Sequence, residues 1–367
     1  MSTGTPKTGT PTAVTPEIAT RQNADQCLQS LLTSRQECRD WMDAKWIPFQ
    51  GVETLETYEA WLEKGHHGEM EYLARHLALK RDPALLLPGV RSLILVTKSY
   101  VPPVKPHGVF ANLRMAAYAR GRDYHEEFGD ELKSLARHLE ELFPGAGFRA
   151  GTDSLPVLER DLARQAGLGW VGKNTCLIHP KKGSFFFIGA ILSTVPVSME
   201  PAPLPDFCGN CTRCLDACPT GALEAPRALN ATKCISYWTI ESRALAPPEL
   251  SSRFGDWFFG CDICQSVCPW NAKPLRGEAV LNAAPLLPGD DAAMASELRE
   301  VLTMTDTDLR RLLKTTPLSR AKPVGLRRNA LVVIGNRRLL ALLPEVEALL
   351  DDPDLGELAA RTRSQLI

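Results

Sequence analysis

The chain has 367 residues and a formal net charge of −1, enough length for about two or three domains. With no overall basic excess, any polyanion must be met by a local patch. No stretch of apolar residues is long enough for a membrane-spanning helix, and residues 1–21, rich in Thr and Pro, read as a disordered lead that is neither signal peptide nor span.

After the lead, Cys27, Leu28, Leu31 and Leu32 recur at helical spacing and run on into Trp41 and Met42. Helices are predicted over 55–64 and 69–80, with Gly65-His66-His67-Gly68 between them. His66 and His67 read as a loop pair, because neighbouring residues do not share a helix face. Ser92–Thr97 is a β-branched strand expected to be buried on both faces, and the proline-rich Tyr100–His107 is a loop. Helical patterns return over 113–120 and 126–143, and Gly147–Thr152 is a short strand. Asp153-Ser154 reads as an N-cap pair for a helix over 155–166, which Gly167 stops. Gly167-Leu-Gly169-Trp-Val-Gly172 matches a dinucleotide-binding pattern in letters but follows a helix instead of a strand, so that reading fails on context. Its glycines are expected to let the backbone approach some other large ligand. Ser184–Thr194 is a long buried strand, and Pro196–Pro205 is a linker.

The run Cys208-x2-Cys211-x2-Cys214-x3-Cys218-Pro219 is a bacterial ferredoxin pattern, in which three cysteines hold one [4Fe–4S] cluster and the fourth serves a second. Cys261-x2-Cys264-x3-Cys268-Pro269 repeats it one cysteine short, and Cys234 between them supplies the eighth ligand. Pseudo-twofold symmetry assigns Cys208, Cys211, Cys214 and Cys268 to one cluster and Cys218, Cys234, Cys261 and Cys264 to the other. Paired C-x2-C runs also make zinc sites, but two Cys-Pro closures and eight thiols fit two cubanes. Cys27, Cys38 and Cys176 are left as free thiols, as expected in a reducing cytoplasm. Two clusters mean that the protein moves or uses single electrons.

Beyond the clusters, after a start over Leu281–Leu287 and a turn at Gly289–Asp291, the chain reads as helical over 294–302, 307–314, 324–334 and 338–350. Gly335-Asn336 is expected to join an antiparallel pair like one unit of a helical repeat. From Arg310 to Arg338 there are nine Lys or Arg and no Asp or Glu. Such a patch predicts contact with a phosphate backbone through Lys314, Arg320, Lys322, Arg327 and Arg328.

Trp61-Leu-Glu-Lys-Gly-His-His-Gly-Glu-Met70, Tyr118-Ala-Arg-Gly-Arg-Asp-Tyr-His125, Asp153-Ser154 and Gly167-Leu-Gly-Trp-Val-Gly-Lys-Asn-Thr175, in that order ahead of the cluster runs, resemble the epoxyqueuosine reductase family. The resemblance covers roughly residues 28–336. It implies an α+β multidomain chain. Residues 22–200 form an α/β cobalamin-binding domain of the nitroreductase and reductive-dehalogenase type, 201–280 a ferredoxin-like two-cluster module, and 281–367 a HEAT-like helical region. The implied reaction is the last step of queuosine synthesis, reduction of the epoxide on the tRNA wobble base with loss of water.

By the same resemblance Asp153 is the proton donor. Gly172, Lys173, Asn174 and Thr175, with Ser236 and Tyr237, form part of the corrin cradle, joined by Tyr118 and Ala119. The corrin is expected base-off. His125 is not assigned as a lower ligand, because the glycine of the cobalamin pattern D-x-H-x-x-G falls one residue late at Gly129. Cys176 departs from the family, where an apolar residue is expected. A free aspartic acid, with a pKa of about 3.9, is ionised at neutral pH. Asp153 is therefore expected to be held protonated by burial, beside Leu155 and Trp170.

The expected partners are tRNA and an external low-potential electron donor, and the chain is read as a cytoplasmic monomer. Two other readings share these residues: a cobalamin-dependent dehalogenase on a small molecule, and a plain electron carrier. The first lacks its usual export signal here, and the second has no need of the Gly167–Thr175 turn.

Overall fold

Four antiparallel strands, β1 (Trp41–Pro48), β2 (Ser92–Ser99), β3 (Phe148–Thr152) and β4 (Phe186–Ser193), pair in the order β1-β2-β4-β3. The computed structural model describes residues 19–34, 38, 40–100, 108–198, 202–272, 274 and 291–367. The expected loop after Tyr100, the lead up to residue 18 and the segment over 281–290 lie outside the described residues.

As expected, β2 is buried on both faces, with only Ser99 exposed. One face of the sheet carries α1 (Arg21–Ser34) and a long helix over Tyr124–Leu142, through Leu28, Phe128, Leu132, Leu135 and Leu139 against Trp46, Ile94, Val96 and Ile191. The opposite face packs Leu162 and Ala163 of a shorter helix, Glu159–Gln165, on Leu93, Leu95, Ala190 and Leu192. Each fully buried Leu or Ile contributes roughly 1.5–3 kcal/mol. The buried Trp46 indole donates to the Ser92 hydroxyl at 2.8 Å, and Ser92 donates to the Val195 carbonyl at 2.5 Å, so the polar pair inside this core is satisfied.

Several predicted elements differ. Trp41 and Met42 do not extend the first helix; they open β1, because Ala44, Trp46 and Ile47 find their burial along β2. Ala19–Thr20 pairs in parallel with Val197–Ser198, so the lead is ordered at its end. The helix expected over 55–64 is α2 (Leu55–Glu63), but the one over 69–80 is two short turns broken at His76. Only Ala117–Arg120 of 113–120 is helical, in 3₁₀ form, while Arg114–Met115 pairs with Trp257–Phe259.

We number the long helix Tyr124–Leu142 α3 and Glu159–Gln165 α4. In the cluster module, α5 (Arg213–Asp216) and α6 (Ile263–Ser266) are matched single turns. Beyond it lie α7 (Asp291–Thr303), α8 (Asp306–Leu313), α9 (Lys322–Arg337) and α10 (Gly356–Leu366). The expected joint at Gly335-Asn336 is instead the last turn of α9. A Cβ at Gly335 would collide with the Gln365 side chain, so glycine there permits close crossing of α9 and α10. Met294, Leu298, Leu326, Ala330 and Ile334 share one core with Phe110, Leu113, Met115, Phe258 and Phe259. Docked this way, the C-terminal helices brace the segment leading to α3.

Candidate active site

The eight cysteines of the two ferredoxin runs and Cys234 are all free of disulfides. α5 and α6 each carry a cluster cysteine at their second position, Cys214 and Cys264, and end two residues before Cys-Pro, and they pack on one another. The thiols of the runs act on one another. Burial, and then the charges of Cys208 and Cys214, push Cys268 up to about 11. Burial likewise raises Cys261, which feels the charges of Cys234 and Cys218. Trp170 donates its indole N–H to Cys208 Sγ at 3.5 Å, an outer-shell contact of the kind that tunes a cluster.

Asp153 follows β3 with φ +54°, left-handed backbone that Asp tolerates better than most residues. It caps nothing. The next helix, α4, starts at Glu159 with Leu158 at its N-cap and no side-chain cap, so the expected capping role is corrected. The Asp153 carboxylate instead accepts from the Tyr124 hydroxyl at 3.0 Å, and its Oδ2 lies 3.0 Å from His125 Nε2. His125 Nδ1 lies 2.8 Å from Asp123 Oδ1. The Asp153 side chain is 66% exposed, yet enough protein surrounds it for burial to push its carboxyl up. The hydrogen bonds and charge of His125, with Tyr124 and Arg160, outweigh that push and leave it below the ordinary value. This corrects the expectation of a carboxyl kept protonated by apolar neighbours: Leu155 turns into the sheet core, and Trp170 packs beside Cys208.

Around Asp153 stand Glu159, Tyr72, Glu241 and Arg160, which the sequence did not single out, beside Tyr118 and Arg320, which it did. Glu159 is raised to about 7 by burial and then by the Asp153 charge, against the pull of Lys80. The charges of Asp153 and Glu241 both act on Tyr72 and Tyr118, which sets these side chains about one space. Arg320 closes it, bonding Glu241 through Nε at 3.1 Å and Nη2 at 2.9 Å and lying over the Tyr72 ring. On the other side, Arg160 donates to the Thr175 carbonyl at 2.7 Å, and its charge acts on both Asp153 and Cys176. Cys176 in turn hydrogen-bonds Cys264 of the second quartet. A chain of contacts thus runs from an aspartate on the α/β domain to a cluster cysteine.

Comparison with known proteins fits this arrangement. Residues 207–271 match the 4Fe-4S double cluster binding domain, and residues 80–154 match the family described as epoxyqueuosine reductase QueG. An epoxyqueuosine reductase of Pseudomonas aeruginosa is 39% identical over 86% of this chain and 88% of its own length. The chain belongs to the epoxyqueuosine reductase family. The solved epoxyqueuosine reductase of Streptococcus thermophilus superposes with a TM-score of 0.78 at 25% identity, covering 94% of this chain and 90% of its own. Another, crystallised with a tRNA-Tyr epoxyqueuosine-modified stem loop, shares the fold, with a TM-score of 0.78 at 24% identity over 93% of this chain and 90% of its own.

Within this epoxyqueuosine reductase fold, the expected corrin residues divide. Gly172 packs against its own hairpin, where a Cβ would meet the Ile178 side chain and stand 2.8 Å from Asn174 Oδ1. Lys173 is committed to the first cluster loop, donating to the carbonyls of Gly209 at 2.6 Å and Cys211 at 3.0 Å. Asn174 is buried and donates to the Cys264 carbonyl at 3.3 Å. Ala119 is buried in the shared core, and Tyr237 is buried with its hydroxyl accepting from Glu69 N–H at 2.9 Å. These residues build the walls and tie the cluster loops to them. Tyr118, Thr175 and Ser236 keep partial exposure.

The basic run is also corrected in part. Arg328 is buried and donates to the carbonyls of Ser242, Ala244 and Trp238 at 2.7–2.9 Å. Arg327 is 13% exposed and bonds Asp306 at 2.6 Å. Arg310 and Arg337 also meet acids, Asp306 and Asp291, that lie outside the run. Neither Arg327 nor Arg328 offers its charge to a phosphate. Lys314, Arg320 and Lys322 are exposed.

Proposed function

We propose that this chain reduces the epoxide of epoxyqueuosine in tRNA to the alkene of queuosine, with two [4Fe–4S] clusters feeding cobalamin and Asp153 giving the proton. The observation that carries the reading is the chain of contacts from an exposed aspartate through Arg160, Thr175 and Cys176 to the second cysteine quartet, in a protein of this family. Tyr118, Thr175 and Ser236, which keep partial exposure, would hold cobalamin between the two. Bound there, it would supply a redox metal centre able to receive electrons from the clusters.

The chain's own residues do the rest. Tyr124 and His125 hold the Asp153 carboxyl in place, and Asp153 protonates the epoxide oxygen as its C–O bond breaks. Both nitrogens of His125 face carboxylates, which supports leaving it out of the cobalt ligands. The substrate is met by tRNA contacts at Lys314, Arg320 and Lys322. The Thr315 carbonyl accepts from Asp123 N–H at 2.8 Å, so Lys314 stands beside the Asp123–His125 turn whose side chains meet Asp153. Electrons come from an external low-potential donor, and the reaction belongs in the cytoplasm, where tRNA is. No helix among the described residues is long and apolar enough to cross a membrane.

Anaerobically purified protein, assayed for iron, sulfide and cobalt together, tests the cofactor set: about eight iron atoms per chain and a bound corrin are expected, and protein that takes up clusters but no corrin contradicts it. Charge reversal separates tRNA-binding residues from scaffold in the basic run. Lys314→Glu with Lys322→Glu should weaken tRNA binding and flatten its log–log salt dependence by about 0.7–0.9 for each phosphate no longer neutralised. Arg328→Ala should instead cost roughly 3 kcal/mol of stability in urea unfolding, because it strands buried carbonyls. An unchanged slope in the lysine pair removes that face from the interface.

A further inference from the structure

Converting an epoxide to an alkene consumes two electrons and two protons: both C–O bonds break, one C=C bond forms, and the oxygen leaves as water. If Asp153 is the donor, both protons pass through one carboxyl in each turnover, and this inference rests on that reading. An ionised carboxylate has no proton to give, so each transfer needs a neighbour that loads it. Among the described residues, the side chains that hydrogen-bond the Asp153 carboxylate are Tyr124 and His125. The Tyr124 hydroxyl is pushed far above an ordinary phenol by burial and then by the Asp153 charge, so it keeps its proton.

His125 is placed differently. Its ring nitrogens lie 2.8 Å from Asp123 Oδ1 and 3.0 Å from Asp153 Oδ2. A neutral imidazole has one N–H, and carboxylates only accept, so both contacts are hydrogen bonds only when the ring is an imidazolium. The ring stacks on Tyr124 at 4.1 Å, and Tyr124 stacks on Phe187 of β4 at 4.2 Å, which anchors its plane to the sheet.

We propose that His125 is the positioning residue that stores the proton for Asp153 and reloads it, with Asp123 holding the ring from behind. The Nε2 proton passes to Asp153 Oδ2, and Asp153 gives it to the alkoxide left by the first C–O cleavage. His125 is reloaded from solvent, to which its side chain is 39% exposed, and the second proton follows the same route as the hydroxyl departs as water. The two electrons come through the clusters from the low-potential donor. The groups that face the pair are Asp123 and Tyr124 at the start of α3, Arg160 and Glu159 on α4, and Tyr72, Lys80, Tyr118 and Arg320, which interact with the Asp153 charge from other elements. Burial lowers the His125 pKa, but the hydrogen bonds and charges of Asp153 and Asp123 outweigh it and hold it above the ordinary value. The stored proton is therefore held to higher pH than on a free imidazole and is lost as pH rises through that raised value.

The test is His125→Gln in holoenzyme whose iron and corrin have been verified, followed in single turnover from about pH 5 to 9. Expected are a loss on the order of 10²-fold, disappearance of the alkaline fall seen in the parent, partial rescue by added imidazole, and unchanged tRNA affinity. In the parent protein, the His125 ring proton resonance should titrate above about 6.5 and move down in Asp153→Asn. A rate within about threefold of the parent, with the same alkaline fall, overturns the proposal. If His125→Gln does not fold or load, Asp123→Asn carries the test: its alkaline fall should move to lower pH, and an unmoved one overturns the proposal. Asp153→Asn separates the two levels. Normal activity there defeats Asp153 as donor, whereas an inactive Asp153→Asn beside a normal His125→Gln defeats only the role of His125.

Discussion

Asp153→Asn is expected to lower the single-turnover rate by roughly 10²–10⁴-fold, about 3–5 kcal/mol of barrier, with both clusters, corrin and tRNA affinity retained. The substitution is mild structurally. Asparagine tolerates the left-handed backbone at φ +54° and can still accept from the Tyr124 hydroxyl. It cannot take a proton from His125 and pass it on. A capping role would have predicted near-normal activity, because asparagine caps about as well as aspartate, but α4 begins six residues later and leaves Asp153 no helix to cap. Activity within a few-fold of the parent, measured with cofactors verified, would remove Asp153 from the chemistry.

Cys234→Ala should remove one cluster and leave the other, halving the iron to about four atoms per chain. Cys234 lies just before the irregular turn Tyr237–Glu241; burial raises its thiol while the N–H groups of Ser236 and Tyr237 pull it down. Those amides are placed to stabilise a thiolate. Without it Cys218, Cys261 and Cys264 offer only three corners, in the quartet that Cys176 and Arg160 link to Asp153. Product formation should therefore fall below detection while the first cluster keeps its spectrum. Cys176, which interacts with Cys264, is a candidate substitute. Retention of both clusters in Cys234→Ala, and loss of the second on adding Cys176→Ala, would show that it completes the set.

What the sequence made legible follows from how local each signal is. The cluster cysteines were readable because a cubane constrains thiols two or three residues apart, and α5 and α6 repeat that spacing. Strands β2 and β4 were readable because burial on both faces leaves a continuous apolar run. β1 was not: Trp41 to Pro48 reads as a strand only once β2 lies beside it. The same holds for charge. The basic run looked unbalanced because Asp306, Glu241 and Asp291, which pair with Arg327, Arg320 and Arg337, lie outside it. At the site, the resemblance pointed to Asp153, but its neighbours were missed. Asp123-Tyr124-His125 was in view as a motif, and only the turn after β3 brings Asp153 onto it, 28 residues away from His125. The Lys173 and Asn174 side chains were assigned to a ligand because nothing local tells that they hold the cluster loops.

The most direct test of the account is a single anaerobic turnover of the cluster- and corrin-loaded protein on tRNA that carries epoxyqueuosine, with the nucleosides read by mass spectrometry. The account predicts that the epoxide nucleoside disappears and one lacking a single oxygen takes its place, in proportion to enzyme and only with a low-potential reductant. An epoxide nucleoside that persists in the presence of fully loaded, reduced protein would contradict it.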